Sequence, residues 1–247
     1  MERQYLAFDI ETAQHLPDDR ADWRSHRPLG ITCAAALPSD GEATLWYGRT
    51  AENGFAPRMS RPQVVELVTT LFQAHKAGQT IVTWNGIGFD FDVLAEESGL
   101  HQECREMALN HVDMMFHFFC LQGYPLALDT AAKGMGLPGK AAGMSGELAP
   151  VLWSQGMHQQ VLDYLRQDVQ TVLNLARAVE KRGTLRWISR SGKPGTANIG
   201  QWRTVSEALR LPAPDTSWMS KPMSRRGFTA WTETMPLQRH DLPGFGD

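Results

Sequence analysis

Acidic residues in three separated stretches carry the chemistry available to this sequence. Asp9 and Glu11 stand two residues apart in QYLAFDIE, Asp90 and Asp92 follow the turn-forming Asn85-Gly86 in TWNGIGFDFD, and Tyr164 and Asp168 stand four apart in YLRQD. Two ionised carboxylates about 5 Å apart repel by roughly 3 kcal/mol at an effective dielectric near 20, a large part of a net stability of about 5–15 kcal/mol. If the three stretches meet, something cationic must sit among them. Hard oxygen donors without nearby Cys or paired His point to Mg²⁺ or Mn²⁺ rather than zinc. Two such ions stabilise both the attacking and the leaving oxygen when a phosphodiester is hydrolysed. Each stretch also has an ordinary reading. Half-exposed strands often carry acids, Asp90 can be a helix N-cap with Asp92 as its rival for a functional role, and a core-facing Asp168 can be satisfied by an arginine or by backbone.

The elements that must bring these residues together are legible as periodicities. Residues 4–11 alternate, with Leu6, Phe8 and Ile10 on one face and Tyr5, Ala7, Asp9 and Glu11 on the other, which is a strand. A polar stretch over residues 12–28 reads as a long loop and a candidate lid or substrate contact. Apolar runs at 29–37, 43–47 and 80–84 are further strands, and Val64, Val65, Leu67, Val68 and Leu71 mark a helix before the last of them. Residues 90–98 read as a helix stopped by Gly99, 111–114 as a short buried strand, and 126–135 as a helix ending near Gly136. Residues 138–149, rich in glycine and small side chains, are expected to form a mobile loop. The longest helix is predicted over 157–181, where Val161, Leu165, Val172, Leu175 and Val179 form an apolar stripe that contains Asp168, with Tyr164 one turn earlier on the same side. Residues 184–189 and the turn 191–195 suggest a hairpin, 205–211 a short helix, and the rest a tail anchored by aromatics such as Trp218 and Trp231. Three early strands followed by β–α alternation give an α/β protein with a mixed sheet flanked by helices.

Bulk properties bound the possibilities. With 247 residues, 42% hydrophobic and 21% charged, the chain is an ordinary globular protein with room for one large domain and an appendage. No run is long and apolar enough to span a membrane, and the acidic start is unlike a signal peptide, so a cytoplasmic protein is expected. Cys33, Cys104 and Cys120, odd in number and without a CxxC pair, are expected to be buried thiols. The net charge of −3 is uneven: residues 181–247 carry 11 Lys/Arg against 5 Asp/Glu, a balance of +6, which leaves −9 for residues 1–180. An acidic body with a basic tail suits a phosphodiester substrate, and equally a plain solvated surface. No G-x-G-x-x-G follows the first strand, which argues against a nucleotide oxidoreductase.

FDIET, NGIGFD and YLRQD together resemble, in order and local pattern, the three motifs of the DEDD, or DnaQ-like, 3′–5′ exonuclease superfamily. The resemblance covers about residues 4–180 and maps Asp9 and Glu11, then Asp90 in preference to Asp92, then Tyr164 and Asp168. Tyr164, with Asp163 rather than a histidine before it, makes this similar to the tyrosine branch, which includes family-B DNA polymerase proofreading domains. PDTSWM and RRGF in the tail resemble stand-alone members of that group. Only 79 residues follow Asp168, so no polymerase module is expected.

The resemblance implies an RNase-H-like domain over residues 1–182, with residues 183–247 as a hairpin and helix extension packed on it. It implies a 3′–5′ exonuclease that uses two divalent ions on single-stranded nucleic acid with a free 3′ end, DNA being favoured over RNA. Asp9 would bridge the ions, Glu11 and Asp168 would complete the ion beside the attacking water, and Asp90 would act on the second ion directly or through water. Tyr164 would orient that water, since a phenol with a pKa near 10 is a poor base at neutral pH. Thr12, Asn85, Lys140, Arg225 and Arg226 are candidate substrate contacts. Asp113 resembles a recurring strand-end Asp, and His111 and His117 beside it are expected to be structural. Trp84 is expected in the core. The alternative is a nuclease-fold binding module without catalysis, which would have no need of a repelling carboxylate cluster.

Overall fold

Alternation along β1 (Tyr5–Thr12) divides the molecule into two cores. A computed structural model describes residues 3–16, 23–139, 146–189 and 191–234. Leu6, Phe8 and Ile10 enter one core while Tyr5 and Ala7 enter the other, the two-residue period expected of a strand buried on both faces. β1 pairs antiparallel with β2 (Ile31–Pro38), which pairs antiparallel with β3 (Thr44–Tyr47). On its other side β1 runs parallel to β4 (Thr80–Thr83), and β4 parallel to β5 (Val112–Asp113). The order is β3-β2-β1-β4-β5, a mixed five-stranded sheet with β1 at its centre.

Helices cover both faces. The face of Leu6 and Phe8 packs against α1 (Arg61–Lys76), α2 (Asp90–Ser98) and α3 (His101–Asn110), with part of α4 (Met114–Gln122). The opposite face packs against α5 (Leu128–Gly134), Trp153 of α6 (Ala149–Ser154) and the long α7 (His158–Arg182). In α7, Val161, Leu165, Val169, Val172, Ala176 and Val179 are all buried. Each large apolar side chain so buried contributes about 1.5–3 kcal/mol, which offsets the cost of holding Asp168 in the same stripe. Gly99 ends α2 with φ 79°, the left-handed cap expected of it.

Beyond α7 the expected hairpin is present as β6 (Thr184–Ile188) and β7 (Pro194–Asn198), followed by α8 (Val205–Ala208) and α9 (Arg226–Thr234). Trp187, Ala197, Ile199 and Trp202 join the α7-side core, while Val205, Ala208, Phe228 and Trp231 join the other. The extension thus closes both faces of the body. The three cysteines are buried and form no disulfide. Among the described residues no helix is long and apolar enough to cross a membrane.

Several expectations shift. α3 and α4 have no counterpart in the sequence reading, and neither has α6 or α9. α4 is buried on all sides from Met114 to Cys120, so it carries no amphipathic period. The stretch after β1, expected to be a loop, contains a 3₁₀ turn at Trp23–His26. Of the glycine-rich segment 138–149, residues 140–145, and with them Lys140, lie outside the described residues.

Candidate active site

Because Tyr5 and Ala7 face α7, the period of β1 sends Asp9 and Glu11 to the same side. α7 meets them with Tyr164 and Asp168, which are one turn apart and both buried. Oxygen atoms of Asp9, Glu11 and Asp168 lie within 4.8 Å of one another. The Tyr164 hydroxyl hydrogen-bonds the Asp168 carboxylate. Burial, and then the charges of Asp168, Glu11 and Asp9, push its phenol well above the usual range. Opposite Glu11 on β2 is Cys33, whose thiol is raised first by burial and then by the Glu11 charge, so it is inert.

The fourth carboxylate comes from the other side of β1. The β1–β4 ladder ends at Ala7 and Val82, and past that point the Ile10 N–H donates to Asp90 Oδ1 at 3.3 Å. Asp90 also hydrogen-bonds Asp9. Its carboxyl is pushed up to about 7, chiefly by burial, with the nearby Asp113 charge adding to the shift and hydrogen bonds opposing it. The turn that delivers Asp90 is held from behind. Asp113 accepts the backbone N–H groups of Asn85 (3.0 Å), Ile87 (2.9 Å) and, as cap of α4, Phe116 (2.9 Å). Asn85 sits at φ 77°, a conformation that Asn tolerates better than most residues. Asp113 is therefore a strut. His111 is another: its Nδ1–H donates to Ala108 O at 2.8 Å, leaving Nε2 to accept from the Thr83 hydroxyl at 2.9 Å. His117 accepts from the Arg203 N–H at 3.3 Å. Geometry also separates Asp90 from its rival, because Asp92 points away to ion pairs with Arg24 (3.1 Å) and Arg27 (2.5 Å).

Asp9, Glu11, Asp90, Tyr164 and Asp168 line a cleft of about 220 Å³. Thr12 and Asn85, two of the candidate substrate contacts, also line it. Trp84, expected in the core, is only half-buried and forms part of the wall, with its indole N–H donating to Leu126 O at 2.9 Å. The strand stops at Thr83, so Trp84 stands past the strand end, where it packs against both cores while staying partly exposed. Arg225 is a correction: its guanidinium donates to the carbonyls of Cys120, Leu209, Leu211 and Pro212, which makes it a clamp for the extension rather than a phosphate contact. Arg226 is exposed, pairs with Glu233 at 3.2 Å and does not line the cleft. Glu147, absent from the sequence reading, does line it. It follows a stretch without periodicity, and only the fold brings it near: a β-carbon added to the adjacent Gly146 would lie 4.0 Å from Glu11 Oε2.

Among the described residues, the cleft wall includes five carboxylates, Asp9, Glu11, Asp90, Glu147 and Asp168, and no lysine or arginine. Three with oxygens this close repel by about 3 kcal/mol per pair. An all-oxygen donor set of that charge fits hard divalent cations such as Mg²⁺ or Mn²⁺.

The sequence profile of the RNase H superfamily matches residues 44–180, more than half of the chain. The chain belongs to the RNase H superfamily. The matched span contains Asp90, Tyr164 and Asp168, while β1 with Asp9 and Glu11 lies ahead of it. Among solved structures, this RNase H superfamily chain is similar to the family B DNA polymerase of Pyrobaculum calidifontis, with a TM-score of 0.52, 19% identity, and coverage of 72% of this chain and 25% of the polymerase. It is more distantly similar to a product-bound exonuclease I (TM-score 0.43, 13% identity, 73% and 44% covered) and to the zinc-bound E. coli exonuclease I–ssDNA complex (0.41, 15%, 73% and 41%). The chain thus spans a quarter of the polymerase and less than half of the exonuclease I chains. No curated protein matches it in sequence. The RNase-H-like fold is the expected one.

Proposed function

We propose that this RNase H superfamily chain is a 3′–5′ exonuclease of the DEDD tyrosine branch, acting on single-stranded nucleic acid, with DNA favoured over RNA. The observation that carries the reading is the convergence of Asp9, Glu11 and Asp168 within 4.8 Å, with Asp90 and Tyr164 on the same cleft. The polarity and branch rest on the order and pattern of the three motifs. In this reading residues 1–182 are the nuclease unit and residues 183–247 a packed extension, and the protein works in the cytoplasm.

Asp9, Glu11, Asp168 and Asp90 would hold two divalent ions, Mg²⁺ or Mn²⁺, which would supply the positive charge that the attacking and leaving oxygens need. The remaining work falls to the chain. Tyr164, with its proton held firmly by burial and surrounding negative charge, donates or accepts hydrogen bonds and orients water instead of removing a proton. The Asp113 strut keeps Asp90 at its station. Thr12 and Asn85 contact the terminal nucleotide from the cleft wall. A wall of carboxylates without cations repels a phosphodiester, so binding and turnover both require metal.

The test incubates the protein with 3′-labelled and 5′-labelled single strands of DNA and RNA, with Mg²⁺, Mn²⁺ or chelator. The expected result is metal-dependent shortening, one nucleotide at a time, of the 5′-labelled strand, with mononucleotide released at once from the 3′ label. Internal cleavage, the opposite polarity, or no hydrolysis with either metal overturns the reading.

A further inference from the structure

Six large apolar side chains are exposed among the described residues, and three of them gather around one short helix. Leu148 (42% exposed) precedes α6, Met157 (47%) follows it, and Phe55 (41%) packs on it from the segment between β3 and α1. Phe55 stacks on His158, with centroids 4.3 Å apart and planes 25° from parallel, and meets Trp153 edge-on at 5.7 Å. Tyr47 lies behind it at 5.1 Å. The arrangement is fixed from below, because the Trp153 indole N–H donates to Ala56 O at 2.9 Å and Arg49 pairs with Phe55 in an isolated antiparallel β-bridge.

The step adjoins the acidic cleft. Pro150 lines the cleft and Trp153, three residues later on α6, lies under Phe55, a rise of only about 4.5 Å along the helix. Cations flank it. Arg49 is exposed over the Tyr47 ring at 5.5 Å from its centroid. Arg58 is exposed and lies across Gly30, beside Ala13, next to Thr12 of the cleft wall. Exposed aromatic rings interleaved with arginines suit a single strand, because every unpaired base has a π-face and every linkage a negative charge. A lone apolar patch for a protein partner has no need of the arginines or of continuity with the cleft.

We propose that Phe55 and His158, supported by Trp153 and flanked by Arg49 and Arg58, form a stacking step for unpaired bases of a strand whose end lies in the acidic cleft. The inference builds on the nuclease reading and adds a second zone of contact upstream of the scissile end. Strands too short to reach it gain nothing from the step.

Two measurements test it. Binding of a fluorescent single-stranded ten-nucleotide DNA, followed by anisotropy with Ca²⁺ in place of Mg²⁺, should weaken about tenfold in Phe55→Ala and stay near wild type in Phe55→Tyr. Arg49→Ala and Arg58→Ala should each lower the salt dependence of binding by about one unit of slope. In turnover, Phe55→Ala should lose about tenfold of the preference for ten-nucleotide over dinucleotide substrates. Wild type that binds the strand through Phe55 but hydrolyses nothing upholds this inference and defeats the exonuclease reading. Wild type that hydrolyses while Phe55→Ala changes neither affinity nor length preference defeats the inference and leaves the exonuclease reading standing. Absence of any strand binding also overturns it, as does equal binding of blunt duplex.

Discussion

Tyr164 and Asp168 act as a pair because one helical turn stacks them, and each makes a separable prediction. Asp168→Asn keeps the shape and removes a charge, so activity should fall below detection in a metal-supplemented oligonucleotide assay while the circular dichroism melt is unchanged or raised. Normal turnover would remove the carboxylate from the mechanism. Tyr164→Phe keeps the ring and loses the hydroxyl. Its kcat should drop roughly ten- to a hundredfold, equivalent to about 1.4–2.7 kcal/mol of barrier, and an unchanged kcat would make the ring purely structural. At this scale Asp9, Glu11, Tyr164 and Asp168 are legible in the sequence, since a period of two or of 3.6 fixes which face a residue shares with its neighbours. Glu147 and Arg225 are not legible. The role of each is set by groups that come together only in three dimensions, such as the four carbonyls that converge on the Arg225 guanidinium.

Elements decide how firmly those residues are held. Asp92, fully buried on α2, ties down the segment before β2 through Arg24 and Arg27, while Trp23 in that segment meets Phe89 of the cleft wall edge-on at 4.9 Å. Removing the buried partner strands two guanidinium groups, but these keep a quarter to a third of their exposure and regain some hydration. Asp92→Ala should therefore cost about 2–3 kcal/mol, read from the urea midpoint, and raise KM more than it lowers kcat because one cleft wall loosens. A midpoint within error of wild type would show the clamp to be idle. Most elements here follow from periodicity. α4 does not, because a helix buried on every side shows no polar face. α3, by contrast, buries Cys104, Met107 and Ala108 at the i, i+3, i+4 spacing, a helical period that its sequence carries.

Across the whole molecule, buried imidazoles and buried carboxyl groups answer acid in opposite directions. His111 is held neutral, its pKa lowered to about 3 by burial. The unfolded chain takes up a proton near pH 6.5, so the stability that His111 contributes is complete above that pH and is lost as pH falls towards 3. His117, lowered to about 4 for the same reason, acts in the same direction, whereas Asp90 and Asp113, raised by burial, act in the opposite one. The difference between wild type and His111→Gln isolates one group. Their urea midpoints should draw together as pH falls from 7 to 4, and a constant gap would refute the assignment. The extension is equally a property of the whole. With residues 183–247 removed, both cores lose aromatic cover, and residues 1–182 alone should fail to show a cooperative thermal transition. A sharp melt of that fragment would show the body to be self-sufficient.

α9 has one further consequence. The Trp231 indole N–H donates to Ile87 O at 2.7 Å across 144 positions of sequence, and Phe228 packs close to Gly88 in the same turn. During synthesis at about 5–20 residues per second, the Asn85–Asp90 bend must wait on the order of ten seconds for its latch to leave the ribosome. A nascent chain therefore exposes Asp9, Glu11 and Asp168 before the latch on the bend bearing Asp90 exists, and the acidic cleft takes its final form only after residue 231 has emerged.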